Sequence, residues 1–87
     1  IIYPAYPNPF NAEISMQYFV PEQLGTIEPL ISIYDVRGHE IERHQAGLLN
    51  PGMHEFRWNA ETRSSGMYFI QLSFENTSFS QKVQLLK

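Results

Sequence analysis

Apolar and polar residues alternate along most of the 87-residue chain, in short runs that turn residues separate. Because side chains two positions apart project from the same face of a strand, this alternation predicts strands that each bury one face. The runs lie at residues 14–18, 30–34, 39–44, 54–58, 68–74 and 79–85. No stretch sustains the apolar spacing of a helix, so the pattern predicts an all-β protein.

Turn residues join the predicted strands. Residues 35–38, DVRG, fit a type I turn with Asp at its first position and Gly at its last. Residues 50–52, NPG, carry the proline and glycine that a type II turn favours. Residues 75–78, ENTS, predict a hairpin turn between the last two strands.

The spacing of strands and turns predicts an immunoglobulin-like antiparallel β-sandwich of about seven short strands. The chain has no cysteine, so no disulfide links the sheets, and Trp58 is expected to pack on aliphatic side chains of the facing sheet. The run at 39–44 is polar, as is typical of an edge strand. Its Glu40 and Glu42 are predicted on one face and Ile41 on the other.

Composition excludes several classes of function. Six scattered Lys and Arg residues and a net charge of −3 make no basic patch for nucleic acid. No apolar run approaches the ~18–20 residues that span a bilayer. The length indicates one domain over residues 1–87. The start at Ile1, without Met or a signal peptide, indicates a domain cut from a larger protein.

The residues offer little for catalysis, a metal or another cofactor. His39, His44 and His54 form no ligand pair, and the first and last would meet only if their strands paired. Surface positions explain all three better. Residues 64–66, SSG, lack the strand-to-helix elbow of a serine nucleophile, and Asp35 is explained by its turn. We therefore expect no enzyme activity, no metal site and no cofactor.

Aromatic residues near the start leave carbohydrate binding open. Tyr3, Tyr6 and Phe10 lie in a proline-rich segment, and aromatic rings can stack on sugars. Packing of this segment on the sandwich is the simpler explanation. Residues 76–78, NTS, match the glycosylation pattern, but a hairpin turn accounts for these residue types.

Several blocks of sequence resemble the C-terminal sorting domain (type A) of proteins exported by the type IX secretion system, and they run in the order of that family. The blocks are 6–11 (YPNPFN), 31–38 (ISIYDVRG), 49–54 (LNPGMH), 56–59 (FRWN), 65–69 (SGMYF) and 82–87 (KVQLLK). The chain also resembles the related immunoglobulin-like domain of flagellar hook-capping proteins. The resemblance covers nearly the whole chain.

The resemblance implies a non-catalytic secretion signal at the end of a larger cargo protein. Such a domain passes through the periplasm, is recognised by the type IX machinery at the outer membrane, and is usually removed by a sortase-like protease. The cargo then stays on the cell surface or is released. The cleavage site normally lies just before the domain, so Ile1 is expected close to it.

The resemblance also assigns residues to two roles. The residues implied in translocon recognition are Lys82, Val83, Leu85, Leu86, Lys87, Gly66 and Tyr68. The residues of the fold signature are Pro7, Asn8, Pro9, Phe10, Asn11, Tyr34, Asp35, Gly38, Gly52 and Trp58.

Elementary chemistry gives the signature residues structural roles. Pro7 and Pro9 are expected to hold an extended start of the domain, because proline fixes its own φ. Asn8 and Asn11 are expected to bond backbone groups that the prolines leave unpaired, and Phe10 to close the open end of the sandwich. Gly38 and Gly66 are expected in conformations that other residues avoid. Ala12 replaces a proline that often follows this motif, which weakens the turn there.

Two alternatives stay open beside the sorting domain. One is an accessory module of a secreted enzyme that binds polysaccharide through Tyr3, Tyr6 or other exposed aromatic residues. The other is a structural domain that contacts protein chains, like that of the hook cap. A sorting domain must end its protein, and Leu86-Lys87 resembles a natural terminus. Weak self-association through an exposed edge strand also stays open.

Overall fold

A computed structural model describes residues 2–87, and strands make up most of it. The strands are β1 (Glu13–Val20), β2 (Leu30–Asp35), β3 (Glu40–Gln45), β4 (Gly52–Asn59), β5 (Gly66–Phe74) and β6 (Thr77–Leu85). Glu22–Leu24 forms a single turn of 3-10 helix. Every predicted strand is present, with bounds that differ from the prediction by a few residues.

Two antiparallel sheets form the layers of the molecule. One contains β1 and β4, and the other has the order β3-β2-β5-β6. Residues 2–6 lie along the free edge of β1, where Ile2 bridges Tyr18 and Tyr6 bridges Ser15. With this segment the molecule has seven extended segments, so the predicted antiparallel β-sandwich is confirmed.

The core lies between the two sheets and is built mainly from alternate residues of β1, β2, β5 and β6, with Trp58 from β4. In β5, Tyr68, Ile70, Leu72 and Phe74 alternate along the strand and are all buried. The buried hydrophobic residues are Ala5, Phe10, Ile14, Met16, Tyr18, Val20, Ile27, Ile31, Ile33, Trp58, Ala60, Tyr68, Ile70, Leu72, Phe74, Val83 and Leu85. Apolar burial on this scale supplies the main force that holds the sheets together.

β3 lies at the edge of its sheet, as its polar sequence predicts. However, the prediction that Glu40 and Glu42 share a face is wrong. The register shifts between Ile33 and Tyr34, so Glu42 lies opposite Ile33 and Glu40 lies opposite Tyr34. Since Ile33 is fully buried, Glu42 turns towards the space between the sheets. A β-bulge of this kind re-aims a side chain.

The proline-rich segment bends between the two sheets and does not run straight. Its residues 7–9 form a bend, and the peptide bonds before Pro7 and Pro9 are both cis. The expectation that Pro7 and Pro9 hold an extended start is therefore wrong, because the extended segment ends at Tyr6. Ala12 has a φ of 81°, which proline cannot adopt. The absence of proline at this position thus fits the backbone and does not weaken it.

Within residues 2–87, no helix has the length and apolar character needed to cross a membrane.

Candidate functional site

The residues implied in recognition come together at one end of the four-stranded sheet. β5 and β6 are antiparallel neighbours, with Gly66 opposite Leu85 and Tyr68 opposite Val83. The 65–69 and 82–87 blocks are separated in the sequence, but they lie side by side on adjacent strands. Hairpin pairing of the last two strands brings them together.

Burial divides these residues into two groups. Tyr68, Val83 and Leu85 are buried in the core, with Leu85 fully inaccessible. A receptor that contacts the folded domain cannot reach their side chains. Leu86 is half exposed, and Lys82 and Lys87 are exposed. A role in recognition stays a prediction for the whole set, and side-chain contact with the folded domain is open only to the exposed members.

Hydrogen bonds fix the positions of Leu86 and Lys87. The Leu86 amide donates to the Phe10 carbonyl at 2.8 Å. The Lys87 amide donates to the Ser65 hydroxyl at 3.0 Å, and its Nζ contacts the Glu61 carbonyl. These contacts hold the exposed side chains of Leu86 and Lys87 in a fixed position beside the start of β5.

The YPNPFN motif binds the outer edge of β6. Asn8 accepts a hydrogen bond from the Gln84 amide at 3.0 Å and donates one to the Lys82 carbonyl at 3.3 Å. The Phe10 amide donates to the Gln84 carbonyl at 2.9 Å. The sequence predicts that Asn8 bonds backbone groups near the two prolines, whereas its side chain bonds the backbone of β6. The side chain of Asn11 makes no hydrogen bond within residues 2–87.

Gln81, on the same strand β6, binds the first described residues through its side chain. Its side-chain oxygen accepts from the Ala5 amide at 2.8 Å, and its side-chain nitrogen donates to the Tyr3 carbonyl at 3.0 Å. The Tyr3 and Tyr6 amides in turn donate to β1. Residues 2–10 therefore close one side of the sandwich, between β1 and β6, and we call them the signature seam. The signal in the sequence is a polar Gln81 on the apolar face of β6.

Phe10, Trp58 and Tyr68 form an aromatic cluster beneath the signature seam. The ring centroids of Phe10 and Trp58 lie 5.6 Å apart, and those of Trp58 and Tyr68 lie 5.2 Å apart in an edge-on arrangement. Phe10 thus closes the end of the sandwich, as expected. Sequence analysis predicts aliphatic partners for Trp58, whereas two aromatic rings, from the signature seam and from β5, lie against it.

A network of hydrogen bonds and ion pairs around Glu42 closes the side of the sandwich between β4 and β3. Glu42 accepts hydrogen bonds from the Trp58 indole at 3.0 Å and from Arg63 at 3.0 Å. The other oxygen of Glu42 lies 2.9 Å from His44, whose ring packs 5.1 Å from that of Phe56. We call these five residues the Glu42 seam. Sequence reasoning missed it, because the bulge that turns Glu42 inward leaves no mark in the residue pattern.

The pKa of Glu42 is set by opposing effects. Burial raises it, but hydrogen bonds from Trp58 and His44 and the hydrogen bond and charge of Arg63 outweigh burial. The net pKa of the Glu42 carboxyl lies below its usual value, so the carboxylate is ionised at neutral pH. The seam is therefore an ionised, half-buried network that bridges the two sheets.

Asp35 organises the β2–β3 turn, as the sequence predicts. Its carboxylate accepts from the Arg37 amide at 2.9 Å and from the His39 amide at 3.0 Å. The Gly38 amide donates to the Asp35 carbonyl, and Gly38 has a φ of 85°, which favours glycine. The backbone hydrogen bond from His39 leads the effects that lower the pKa of Asp35.

The three histidines are separate. His39 lies 3.8 Å from Asp35, and His54 contacts the Asn50 carbonyl at 2.7 Å. β3 and β4 belong to different sheets, so His39 and His54 do not meet through strand pairing. His44 and His54 instead border one cavity of about 340 Å³. Within the described chain, no three His, Cys, Asp or Glu side chains group as metal ligands would.

The aromatic residues considered for sugar binding fall into two classes. Phe10 is only 2% exposed and cannot stack on a sugar. Tyr3 and Tyr6 are 42% and 54% exposed.

The 64–66 stretch has structural contacts, since the Ser64 carbonyl accepts a hydrogen bond from the Tyr68 hydroxyl at 2.6 Å. Asn76 lies at the tip of the β5–β6 hairpin, where Phe74 pairs with Thr77.

Comparison with known proteins identifies the family of the chain. No curated protein matches the chain significantly. The family model for the secretion system C-terminal sorting domain matches residues 4–85, which includes both the signature seam from Pro4 onwards and the whole of β6. This match spans all of the motif blocks except the last two residues of the closing block. The chain therefore belongs to the family of type IX secretion C-terminal sorting domains, the signals that direct a larger cargo protein across the outer membrane to the cell surface or beyond.

Proposed function

We propose that the export machinery recognises this domain in its folded form, at the end of the sheet where β5 begins and β6 ends. The exposed side chains there are Lys82, Leu86 and Lys87, beside Gly66. Tyr68, Val83 and Leu85 act indirectly, because they anchor these residues to the core. The observation that carries the proposal is the pairing of Gly66 with Leu85, which joins two family motifs into one surface.

The domain acts without catalysis, as a terminal address on a larger secreted protein, and residues 1–87 form one unit. Contacts of the polar side chains support a structural role. Ser65 accepts a hydrogen bond from the Lys87 amide, Asp35 holds its turn, and Glu42 joins the sheets. In each of these cases the polar group is engaged in holding the fold.

Membership of the family supports the following route. The cargo and this domain pass through the periplasm, the outer-membrane machinery binds the domain, and a sortase-like protease removes it. The cargo is then attached to the cell surface or released. The fixed position of the signature seam supports cleavage ahead of the domain, because residues 2–10 are packed and bonded whereas a protease needs an extended, accessible chain.

A test uses a passive reporter fused to the domain in a host with the type IX system. Removal of residues 82–87 would delete Val83 and Leu85 from the core, so point substitutions of exposed residues are cleaner. We expect Leu86→Asp with Lys87→Glu to lower export by about tenfold or more while the thermal midpoint of the purified domain stays within a few degrees of the parent's.

The matched control is Leu48→Asp, which changes an exposed leucine in the β3–β4 loop. It should be exported like the parent. Export of the Leu86/Lys87 variant at the parent level would contradict recognition at this end of the sheet. Failure of the parent fusion itself to be exported would contradict the sorting function in that host.

Carbohydrate binding is a second candidate, because Tyr3 and Tyr6 remain exposed on the packed segment. It predicts that the purified domain is retained on insoluble polysaccharide and that Tyr3→Ala with Tyr6→Ala abolishes the retention. Retention that the double substitution leaves unchanged would contradict this candidate.

A further inference from the structure

The outer edge of β6 is covered along only half of its length. Asn8 and Phe10 bond the backbone of Lys82 and Gln84. Backbone groups that point to the same side recur at every second residue of an antiparallel strand, so those of Ser78 and Ser80 face the same side. Among residues 2–87, no strand or bridge pairs with that side of Ser78 or Ser80.

The two edges of this sheet differ in their protection. β3, at the opposite edge, has a bulge, and its Glu40 and Arg43 form an ion pair. Charges and bulges of this kind hinder the addition of a foreign strand. The open part of β6, residues 77–81, reads TSFSQ and carries neither charge nor proline. This half of the edge is therefore free to accept an extended segment.

Two shallow cavities flank the open edge at Ser80. One, of about 270 Å³, is lined by Tyr34, Gly38, Phe69, Gln71 and Ser80. The other, of about 240 Å³, is lined by Ile2, Tyr3, Pro4, Ser80 and Gln81. Side chains of a strand alternate between the two faces of a sheet, so neighbouring residues of an added strand would each face one cavity. Strand addition with pockets for alternate side chains is a common mode of peptide recognition.

A single charge lies beside the open edge. Lys82 is exposed, lies opposite Phe69 on β5, and forms no ion pair with the described residues. The outer face there combines the rings of Tyr34 and Phe69 with this ammonium group. Its complement is an apolar side chain followed, along the same face, by a carboxylate.

We infer that the open edge, residues 77–81, is where an extended segment of the export machinery docks by strand addition. That segment places an apolar residue over Ser80, at the border of the cavity that Tyr34 and Phe69 line, and a carboxylate beside Lys82. The docked segment would extend the backbone bonding that Asn8 and Phe10 already make further along the same edge of β6. The inference rests on the proposed function and adds a second contact to it.

The test is a proline at the open edge. Ser80→Pro removes an amide that faces away from β5, and edge strands tolerate proline at such positions. In the reporter fusion we expect Ser80→Pro to lower export by about tenfold or more. The matched control is Gln45→Pro, which removes an outward amide from β3 at the opposite edge of the sheet, and its export should equal the parent's.

Each outcome of the experiment decides the inference. Parent-level export of Ser80→Pro overturns the docking edge, while export of the parent fusion leaves the sorting function standing. Equal losses with Ser80→Pro and Gln45→Pro also overturn it. A dimer of the purified domain in sedimentation equilibrium that Ser80→Pro abolishes would assign the edge to a second copy of the chain and overturn it as well.

A second variant covers the case in which the proline lowers the unfolding midpoint. Lys82→Glu changes an exposed side chain without an ion-pair partner and should leave the midpoint unchanged. We expect it to lower export by about tenfold or more, because it sets two carboxylates against each other. Parent-level export of Lys82→Glu would overturn the inferred carboxylate partner and with it the docking edge.

Discussion

Along the signature seam, between β1 and β6, the sheets are joined by backbone amides and by the neutral side chains of Asn8 and Gln81. Along the Glu42 seam, between β4 and β3, they are joined by an ionised carboxylate, an arginine and a histidine. The first seam depends on the path of the chain before β1. The second depends on a bulge that turns one glutamate inward.

The difference shows what the family motif does in this molecule. The YPNPFN motif supplies the groups that bond the edge of β6 and the ring that packs on Trp58. It therefore secures the strand that carries the closing motif. The Glu42 seam shares only Trp58 with the fold signature, although it closes an equivalent side of the sandwich. Neutral hydrogen bonds and a charge network respond differently to acid and to substitution, so the two seams can be separated by experiment.

The largest effect is expected at Trp58, the residue of the Glu42 seam that packs on Phe10 of the signature seam. Its indole donates to Glu42, and its ring packs on Phe10. We expect Trp58→Ala to lower the free energy of unfolding by roughly 3–5 kcal/mol, through loss of packing and a cavity in the core. Urea unfolding monitored by circular dichroism measures it. A loss no larger than that of Leu48→Ala, at an exposed site, would show that the seams do not meet at this residue.

Glu42→Ala should have the next largest effect. It leaves the buried Trp58 indole and the Nε of Arg63 without their acceptor, at a cost of about 1–3 kcal/mol in the free energy of unfolding. Glu42→Gln, which keeps an acceptor, should cost less. The same urea titration compares the two variants. Equal losses would mean that the hydrogen bonds to Glu42 do not stabilise the seam.

Asn8→Ala should destabilise the signature seam by about 1–2 kcal/mol, because it removes two hydrogen bonds to the edge of β6. Asn11→Ala is the control, since Asn11 is exposed in the same motif and its side chain has no hydrogen bond within residues 2–87. Combined with Glu42→Ala, the losses should add, because the two residues share no partner. A double variant that departs from additivity by more than about 0.5 kcal/mol would show that the seams are coupled.

Acid should weaken the Glu42 seam and leave the signature seam intact. The folded pKa of Glu42 lies below the usual value of 4.5, so its contribution is complete above pH 4.5 and is lost as the pH falls through the folded pKa. The signature seam bonds through amides, which do not titrate in this range.

The measurement is the free energy of unfolding between pH 7 and pH 3 for the parent and for Glu42→Gln. Asp35 and Glu40 also have lowered pKa values, so both proteins lose stability in acid. The parent should lose more than the variant. Equal pH dependence would contradict an ionised Glu42 as the link between the sheets.

The smallest effect is a gain at Ala12. Its φ of 81° lies in the left-handed region, which costs an L-residue about 1–2 kcal/mol and costs glycine little. Part of this gain is offset by the greater freedom of glycine in the unfolded chain. Ala12→Gly should therefore raise the free energy of unfolding by up to about 1 kcal/mol. A loss of stability would show that another backbone conformation prevails at this residue.

The sequence predicts the strands because alternation is a local property that burial imposes on each strand. The four buried residues of β5 and the Asp35 turn follow from neighbours along the chain. The two seams are not local. The bond from Asn8 to Gln84 spans 76 residues, and that from Trp58 to Glu42 depends on a bulge in another strand. A local feature that indicates the signature seam is the polar Gln81 on the apolar face of β6, since its side chain bonds Tyr3 and Ala5.

For the candidate site too, some features follow from the local sequence and others depend on the sheet order. The closing motif identifies β6, but it does not distinguish the buried Val83 and Leu85 from the exposed Leu86 and Lys87. Strand alternation separates Val83 and Leu85 from their neighbours once the inward face is known. The open edge at Ser80 is a property of the sheet order, which places β6 outermost, and a single strand's sequence does not contain it.

The central claim is that the signature seam holds the edge of β6, and amide hydrogen exchange at Gln84 tests it most directly. In the parent domain this amide should be protected, because it donates to Asn8. In Asn8→Ala its protection should fall, while the indole proton of Trp58, bonded to Glu42, stays as slow as in the parent. Unchanged protection at Gln84 in Asn8→Ala would contradict the claim.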